Sequence, residues 1–186
     1  MPTAKKPRTD ALRNRDTILR AARTAFAAAD GPVALEHIAR DAGVGIGTLY
    51  RHFPTRDDLV EAVYAAELDE VADSATTLLR DLPPDAALRA WLQRYAAFVA
   101  TKRGLAETLR AALTTGRIAQ PVTRRRITAA VAAILARGGE TGTLRTDVDP
   151  EDVVVLALGA FATGPGDPGR TERLIALVLD AVRVRS

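Results

Sequence analysis

The stretch IARDAGVGIGTLYRHFPTRDDL, residues 38–59, decides how this chain folds. It reads as a short helical segment that ends in glycine, restarts almost at once, and carries Thr, Tyr, Arg and His at its tip. Ala39 is small, Gly43 follows four residues later, and Leu49 follows six after that. A small residue lets the two helices of a tight corner touch. A glycine takes the left-handed conformation that ends one helix and turns the chain. The aliphatic residue pins the next helix to the core. This is the spacing logic of a helix-turn-helix. Leu49 and Phe53, four apart, share the inward face. Ile46, Gly47, Thr48, Tyr50, Arg51 and His52 are then left to face outward or sideways. Tyr50 and His52 point to opposite flanks, which suits contact with both walls of a groove, and Arg56 lies just beyond.

The rest of the chain is read outward from this corner. Every periodic segment has the helical period, and none shows sustained strand-like alternation. A first helix runs from about Thr9 or Asp10 to Ala29, with Leu12, Ile18, Leu19, Ala22 and Phe26 on one stripe. DGP at 30–32 breaks it. The second helix covers about Leu35–Ala42 and the third about Ile46–Phe53, stopped by Pro54. Thr55 is the expected N-cap of a long fourth helix, with Asp57 and Asp58 in its positive first turn. That helix ends near Leu82, before LPPD. Asp85 opens a fifth helix carrying Leu88, Trp91, Leu92, Tyr95 and Phe98. A short sixth is expected at 105–114. The seventh, about 119–137, should end at the Gly138–Gly139 pair. Asp149 caps an eighth, with Pro150 at its first position, and the ninth covers about 170–184. Nine helices make an all-α protein, with no internal repeat.

Composition narrows the function. The 186 residues are 47% hydrophobic and 26% charged, as in a soluble globular protein. There is no cysteine, and the imidazoles are His37 and His52. Disulfides, thiolate zinc sites and thiol nucleophiles are excluded, and no convergent catalytic or metal set appears, so no cofactor and no enzymatic activity are expected. The amino-terminal MPTAKKPR lacks the apolar core of a secretory signal. The longest apolar run, VVVLALGAFA at 153–162, is too short to span a bilayer. A cytoplasmic protein without membrane association is expected. Residues 1–56 hold ten Lys or Arg against five Asp or Glu, a net of +5, and the remainder holds 16 against 18, a net of −2. A basic first third on a slightly acidic body suggests a head that binds a polyanion.

With these residues in view, IARDAGVGIGTLYRHFPTRDDLVEAV resembles the DNA-binding signature of the TetR family of bacterial transcriptional regulators. The resemblance is close over about residues 12–64. WLQRYAAFVATKRGLAETLRAAL is similar to a ligand-domain type found among actinobacterial members. The resemblance implies a nine-helix architecture: a three-helix DNA-binding head, residues 1–55, joined through helix four (about 56–81) to a ligand-binding and dimerisation body within 56–186. It also implies a homodimer whose paired third helices enter successive major grooves of a near-palindromic operator. Carried over by position, Ile46, Gly47 and Thr48 would approach base edges, and Arg51 would reach a base or a phosphate. Tyr50, His52 and Arg56 would hold phosphates. Arg8 and Arg13, with Lys5 and Lys6, would supply a basic arm. Two positions depart from the family pattern: Gly45 stands where Ser often starts the third helix, and Ala34 where Thr or Ser starts the second.

In the body, Trp91, Tyr95 and Phe98 form a stripe that is either core packing or the lining of an effector cavity, with Lys102, Leu109 and Val131 beside it. RRR at 124–126 reads as an exposed helix face. The last two helices are apolar over more than one face. They form the expected dimer interface, through Val154, Leu158 and Phe161 on the eighth and Leu174, Val178 and Val182 on the ninth. The leading function is therefore a homodimeric repressor of double-stranded operator DNA, released by an unidentified small-molecule effector. The alternatives are a ligand-independent DNA-binding dimer and a helical-bundle enzyme, the latter disfavoured by the missing chemistry.

Overall fold

The computed structural model describes residues 6–28, 33–101, 120–162 and 168–184. Among them are eight α-helices and no strand: α1 Lys6–Ala28, α2 Leu35–Asp41, α3 Ile46–His52, α4 Arg56–Asp81, α5 Pro84–Thr101, α6 Gln120–Glu140, α7 Pro150–Ala162 and α8 Pro168–Val182. The expected sixth segment, 105–114, lies outside the described residues, so α6 to α8 correspond to the seventh to ninth predicted helices. Helix α1 begins earlier than its sequence pattern suggested, because Pro7 is tolerated in a first turn, where its missing N–H has no intrahelical acceptor anyway. The chain divides into two compact units, one taking in residues up to Ala66 and the other beginning at Glu67, a boundary that falls inside α4.

In the first unit, α1 packs on α2 and α3, and α2 packs on α3. Ile18, Ala22 and Phe26 of α1 meet a core that includes Ile38, Ala39, Leu49, Phe53, Leu59 and Val60. Leu12 is 60% exposed, so it does not belong to that core. The buried stripe of α1 begins only at Ile18. Burial pushes the phenol of Tyr64 up to about 12. The start of α4 is closed by a reciprocal cap. The Asp58 amide donates to Thr55 Oγ1 (3.1 Å), while the Thr55 amide and hydroxyl donate to Asp58 Oδ2 (2.9 and 2.8 Å).

In the second unit, α5 is the central helix and packs against α6, α7 and α8. Trp91 is fully buried. It stacks on Tyr95 at 5.2 Å between ring centroids, and Tyr95 meets the edge of Phe161 at 6.3 Å. The Trp91 Nε1–H donates to the Val71 carbonyl of α4 (3.1 Å). Polar pairs frame the unit: Arg183 with Asp85 (2.9 Å), Arg89 and Gln93 with Glu172 (3.3 and 2.7 Å), and Arg124 with Glu151 (2.6 Å). Arg126 is half-buried and clasps both Asp69 and Asp73 of α4, so the RRR run is not uniformly a solvated face. Asp149 caps α7, its Oδ1 accepting from the Glu151 amide (2.7 Å).

The Gly138–Gly139 pair does not end α6, which runs through it to Glu140. The chain instead folds back closely over it. A Cβ on Gly138 would stand 2.4 Å from Leu144 Cγ, and the Gly138 carbonyl accepts from the Thr143 amide (2.9 Å). Glycine here makes room for a buried leucine. Among the described residues, no helix is long and apolar enough to cross a membrane.

Candidate nucleic-acid interface

The turn between α2 and α3 is fixed by backbone geometry. Gly43 sits at φ +68°. Its amide donates to the Arg40 carbonyl (3.0 Å), and the Val44 amide donates to the Ala39 carbonyl (3.0 Å). This paired arrangement is a Schellman ending, and it needs a left-handed residue after the helix. The space around Gly43 is open, so an added methyl would meet nothing. The cost of Gly43→Ala is therefore purely conformational, about 1–2 kcal/mol. Urea unfolding should show that loss. Asn, which visits the left-handed region more readily, should restore part of it.

Beyond the turn, Leu49 and Phe53 are buried, so they hold α3 by one face. Arg15 of α1 covers the outer side of that anchor, with its guanidinium carbon 5.5 Å from the Phe53 ring centroid. The opposite face carries what remains. Ile46 is 38% and Tyr50 44% exposed, Gly47 and Arg51 are exposed, and Thr48 and His52 are half-buried. Arg51 and His52 also lie in the last turn, where a positive charge is favoured by the helix dipole. Neither α2 nor α3 has a side-chain N-cap: Ala34 and Gly45 take the cap positions with extended backbone and no side-chain hydrogen bond. Arg13 is exposed on α1. Arg8 lies within α1, but its side chain, like Lys5, is outside the described residues.

Arg56 is placed differently from the outward-reaching group that its position suggested. It is half-buried, its Nη1 donates to the Val33 carbonyl (3.1 Å), and its guanidinium lies 5.9 Å from the Phe26 ring centroid. Sequence reasoning could not see this, because Val33 is 23 residues away. The expected result for Arg56→Ala is a head destabilised by about 1–3 kcal/mol. DNA affinity should fall while the salt slope holds. A phosphate contact would instead change the slope of log affinity against log salt by about one. Titrations at several salt concentrations distinguish the two.

This geometry, a glycine-turned pair of short helices with the second one presented outward, matches known proteins. Residues 18–63 match the family described as bacterial regulatory proteins, tetR family. Residues 83–184 match the family described as transcriptional regulator SbtR-like, C-terminal domain. A TetR transcriptional regulator from Streptomyces coelicolor is 40% identical, with 92% of this chain and 99% of that chain covered and a TM-score of 0.81. The chain belongs to the TetR family. A second TetR regulatory protein, from Mycobacterium vanbaalenii, is 33% identical over 95% of this chain and 99% of that one, with a TM-score of 0.73. The fold is shared more widely. SmeT, the repressor of the Stenotrophomonas maltophilia multidrug efflux pump SmeDEF, is 22% identical with a TM-score of 0.60, over 92% of this chain and 91% of its own. No curated protein sequence matches. As in other TetR-family regulators, the helix-turn-helix is the DNA-binding element, and α3 is its outward helix.

The other two candidate groups fall on the TetR-family body. Trp91 and Val131 are fully buried, and Tyr95 and Phe98 nearly so. Lys102 and Leu109 lie outside the described residues. Of the six residues expected at a dimer interface, Val154, Phe161, Val178 and Val182 are buried within the single chain, because α7 and α8 pack on each other and on α5. Leu174 is half-buried and Leu158 is 42% exposed. The apolar side chains that α7 and α8 leave uncovered are Val155, Leu156, Leu158 and Leu177. Of these four, Leu158 is the one named from the sequence. Helical phase explains the burial: the arcs of α7 and α8 that pack within the unit hold Val154, Phe161, Val178 and Val182.

Proposed function

We propose that this chain is a homodimeric, sequence-specific repressor that acts in the cytoplasm and is released from its operator by a small, mainly apolar effector. The head, residues 1–55, reads DNA, and residues 56–186 dimerise and bind the effector. The observation that carries the DNA-reading part is the pinning of α3 by Leu49 and Phe53, which leaves Ile46, Tyr50 and Arg51 open on the far side. The uncovered leucines and valine of α7 and α8 support self-association through a two-fold contact. Effector binding would have to favour one body conformation over another, since equal affinity for both shifts nothing.

Selection from a random duplex pool, followed by footprinting, tests the first part. A repressor should enrich a near-palindromic site with half-sites about one helical turn, or 34–36 Å, apart. Enrichment of no sequence would overturn the reading. Trp91 is the single tryptophan, so its fluorescence serves to screen compounds, with hits retested for release of the selected duplex. Compounds that move the signal and leave DNA affinity intact would argue against the switch.

A second reading, a DNA-binding dimer without an effector, is favoured by the closed packing around Trp91 and Val131. A ligand beside α5 would have to part side chains that now touch. A screen without hits would make this reading the better one.

A further inference from the structure

We propose that Ile46 reads thymine, by apolar contact of its side chain with the C5-methyl group in the major groove. This deepens the proposed DNA-binding role and rests on it. Ile46 and Tyr50 are four apart on one face of α3, and both keep more than a third of their surface exposed. An isoleucine in that setting gains most from burial against a surface that is itself apolar. The neighbours of Ile46 sharpen the point. Gly45 and Gly47 flank it, both exposed, and neither would bring an added Cβ within 4 Å of another group. The branched side chain therefore stands above a bare backbone that a base-pair edge can approach closely.

The chemistry on this face leaves few other ways of reading sequence. Bidentate readout in the major groove takes Arg or Lys for guanine, Asn or Gln for adenine, and a carboxylate for cytosine. None of these residue types occurs from Gly45 to Thr48, and the one group in α3 able to make such a pair is Arg51. Thr48 offers a single hydroxyl. The apolar group that base pairs present in the major groove is the thymine methyl. An apolar leading face backed by Arg51 thus fits a half-site in which a thymine stands near a guanine. The charge around it suits a polyanion: Arg40 and Arg51 are exposed, and α3 contains no acidic residue.

The probe is the duplex selected by the wild-type protein, with each thymine of the half-site replaced in turn by deoxyuridine, which removes the methyl and nothing else. For wild type, one position should lose roughly three- to tenfold in affinity when both half-sites are substituted. In Ile46→Ala that penalty should shrink below about twofold at the same position, while penalties at other thymines persist. Ile46→Val, which keeps a branched side chain, should retain most of it and guards against a loss caused by altered folding. Ile46→Asn should move the preference at that position toward adenine. The proposal is overturned if no deoxyuridine substitution costs wild type more than about twofold, or if the penalty is unchanged in Ile46→Ala. A wild-type protein that selects no duplex at all would sink the DNA-binding reading itself, and this inference with it. That outcome is distinct from selection without methyl dependence.

Discussion

Leu158→Arg should sediment as a monomer and lose roughly two to four orders of magnitude in affinity for the selected duplex, the advantage that two linked reading heads hold over one. Leu158 is 42% exposed on α7, and Leu177 is 64% exposed on α8. A charge at either position remains solvated in the single chain, so the fold should persist with an unchanged circular dichroism spectrum. In the dimer the same charge would be desolvated against an apolar partner, which is costly without a counter-ion. Leu177→Glu should behave in the same way. Val178→Glu makes the control, because Val178 is buried inside the chain. There the charge should unfold the body rather than separate two folded copies. Dimers that survive both Leu158→Arg and Leu177→Glu would place the interface elsewhere.

Trp91→Ala should remove about 3–5 kcal/mol of stability. That is a large share of the roughly 5–15 kcal/mol that holds a typical domain together. The indole is fully buried and stacked on Tyr95, so its loss leaves a cavity that the surrounding helices cannot fully close. The hydrogen bond it makes matters less. Val71's carbonyl also accepts from Ser74 Oγ (2.7 Å), so it would not be left bare. Trp91→Phe, which keeps an aromatic ring but removes the N–H donor, should therefore cost clearly less than Trp91→Ala in urea titrations. A Trp91→Ala loss under about 1 kcal/mol would mean that the ring borders open space. That would favour Trp91 as the lining of an effector cavity over a purely packed core.

The parts of this fold legible in the sequence are those governed by neighbours along the chain. Ala39, Gly43 and Leu49 announced the turn because a left-handed residue and its flanking contacts lie within eleven positions. Thr55 and Asp149 announced their helices because a cap acts on amides two or three residues away. The family was legible for the same reason. What the sequence withheld depended on distant groups. Arg56 turns inward to a carbonyl that only tertiary packing brings near. Gly138 leaves room inside α6 for Leu144, which returns over it and would clash with any side chain there. On α7 and α8, hydrophobic period alone could not tell which apolar positions meet α5 and which stay uncovered. Val154 and Leu158 are four apart and look equivalent on a helical wheel, yet one is buried and the other exposed.

The brevity of α2 and α3 bears on how the head would exchange its amide hydrogens. Each helix is seven residues long, well short of the roughly 12–15 residues an isolated helix needs to persist in water. Neither draws support from a side-chain N-cap. Their protection against deuterium must come from docking, through Ile38 and Ala39 on one and Leu49 on the other. Such helices do not fray separately and re-form. Their amides should exchange with a shared opening free energy, as one cooperative unit with the α1 turns that cover them. Helix α5, held by three other helices, should exchange far more slowly. DNA bound at α3 would then slow deuterium uptake in α2 as well, at amides that no nucleotide touches.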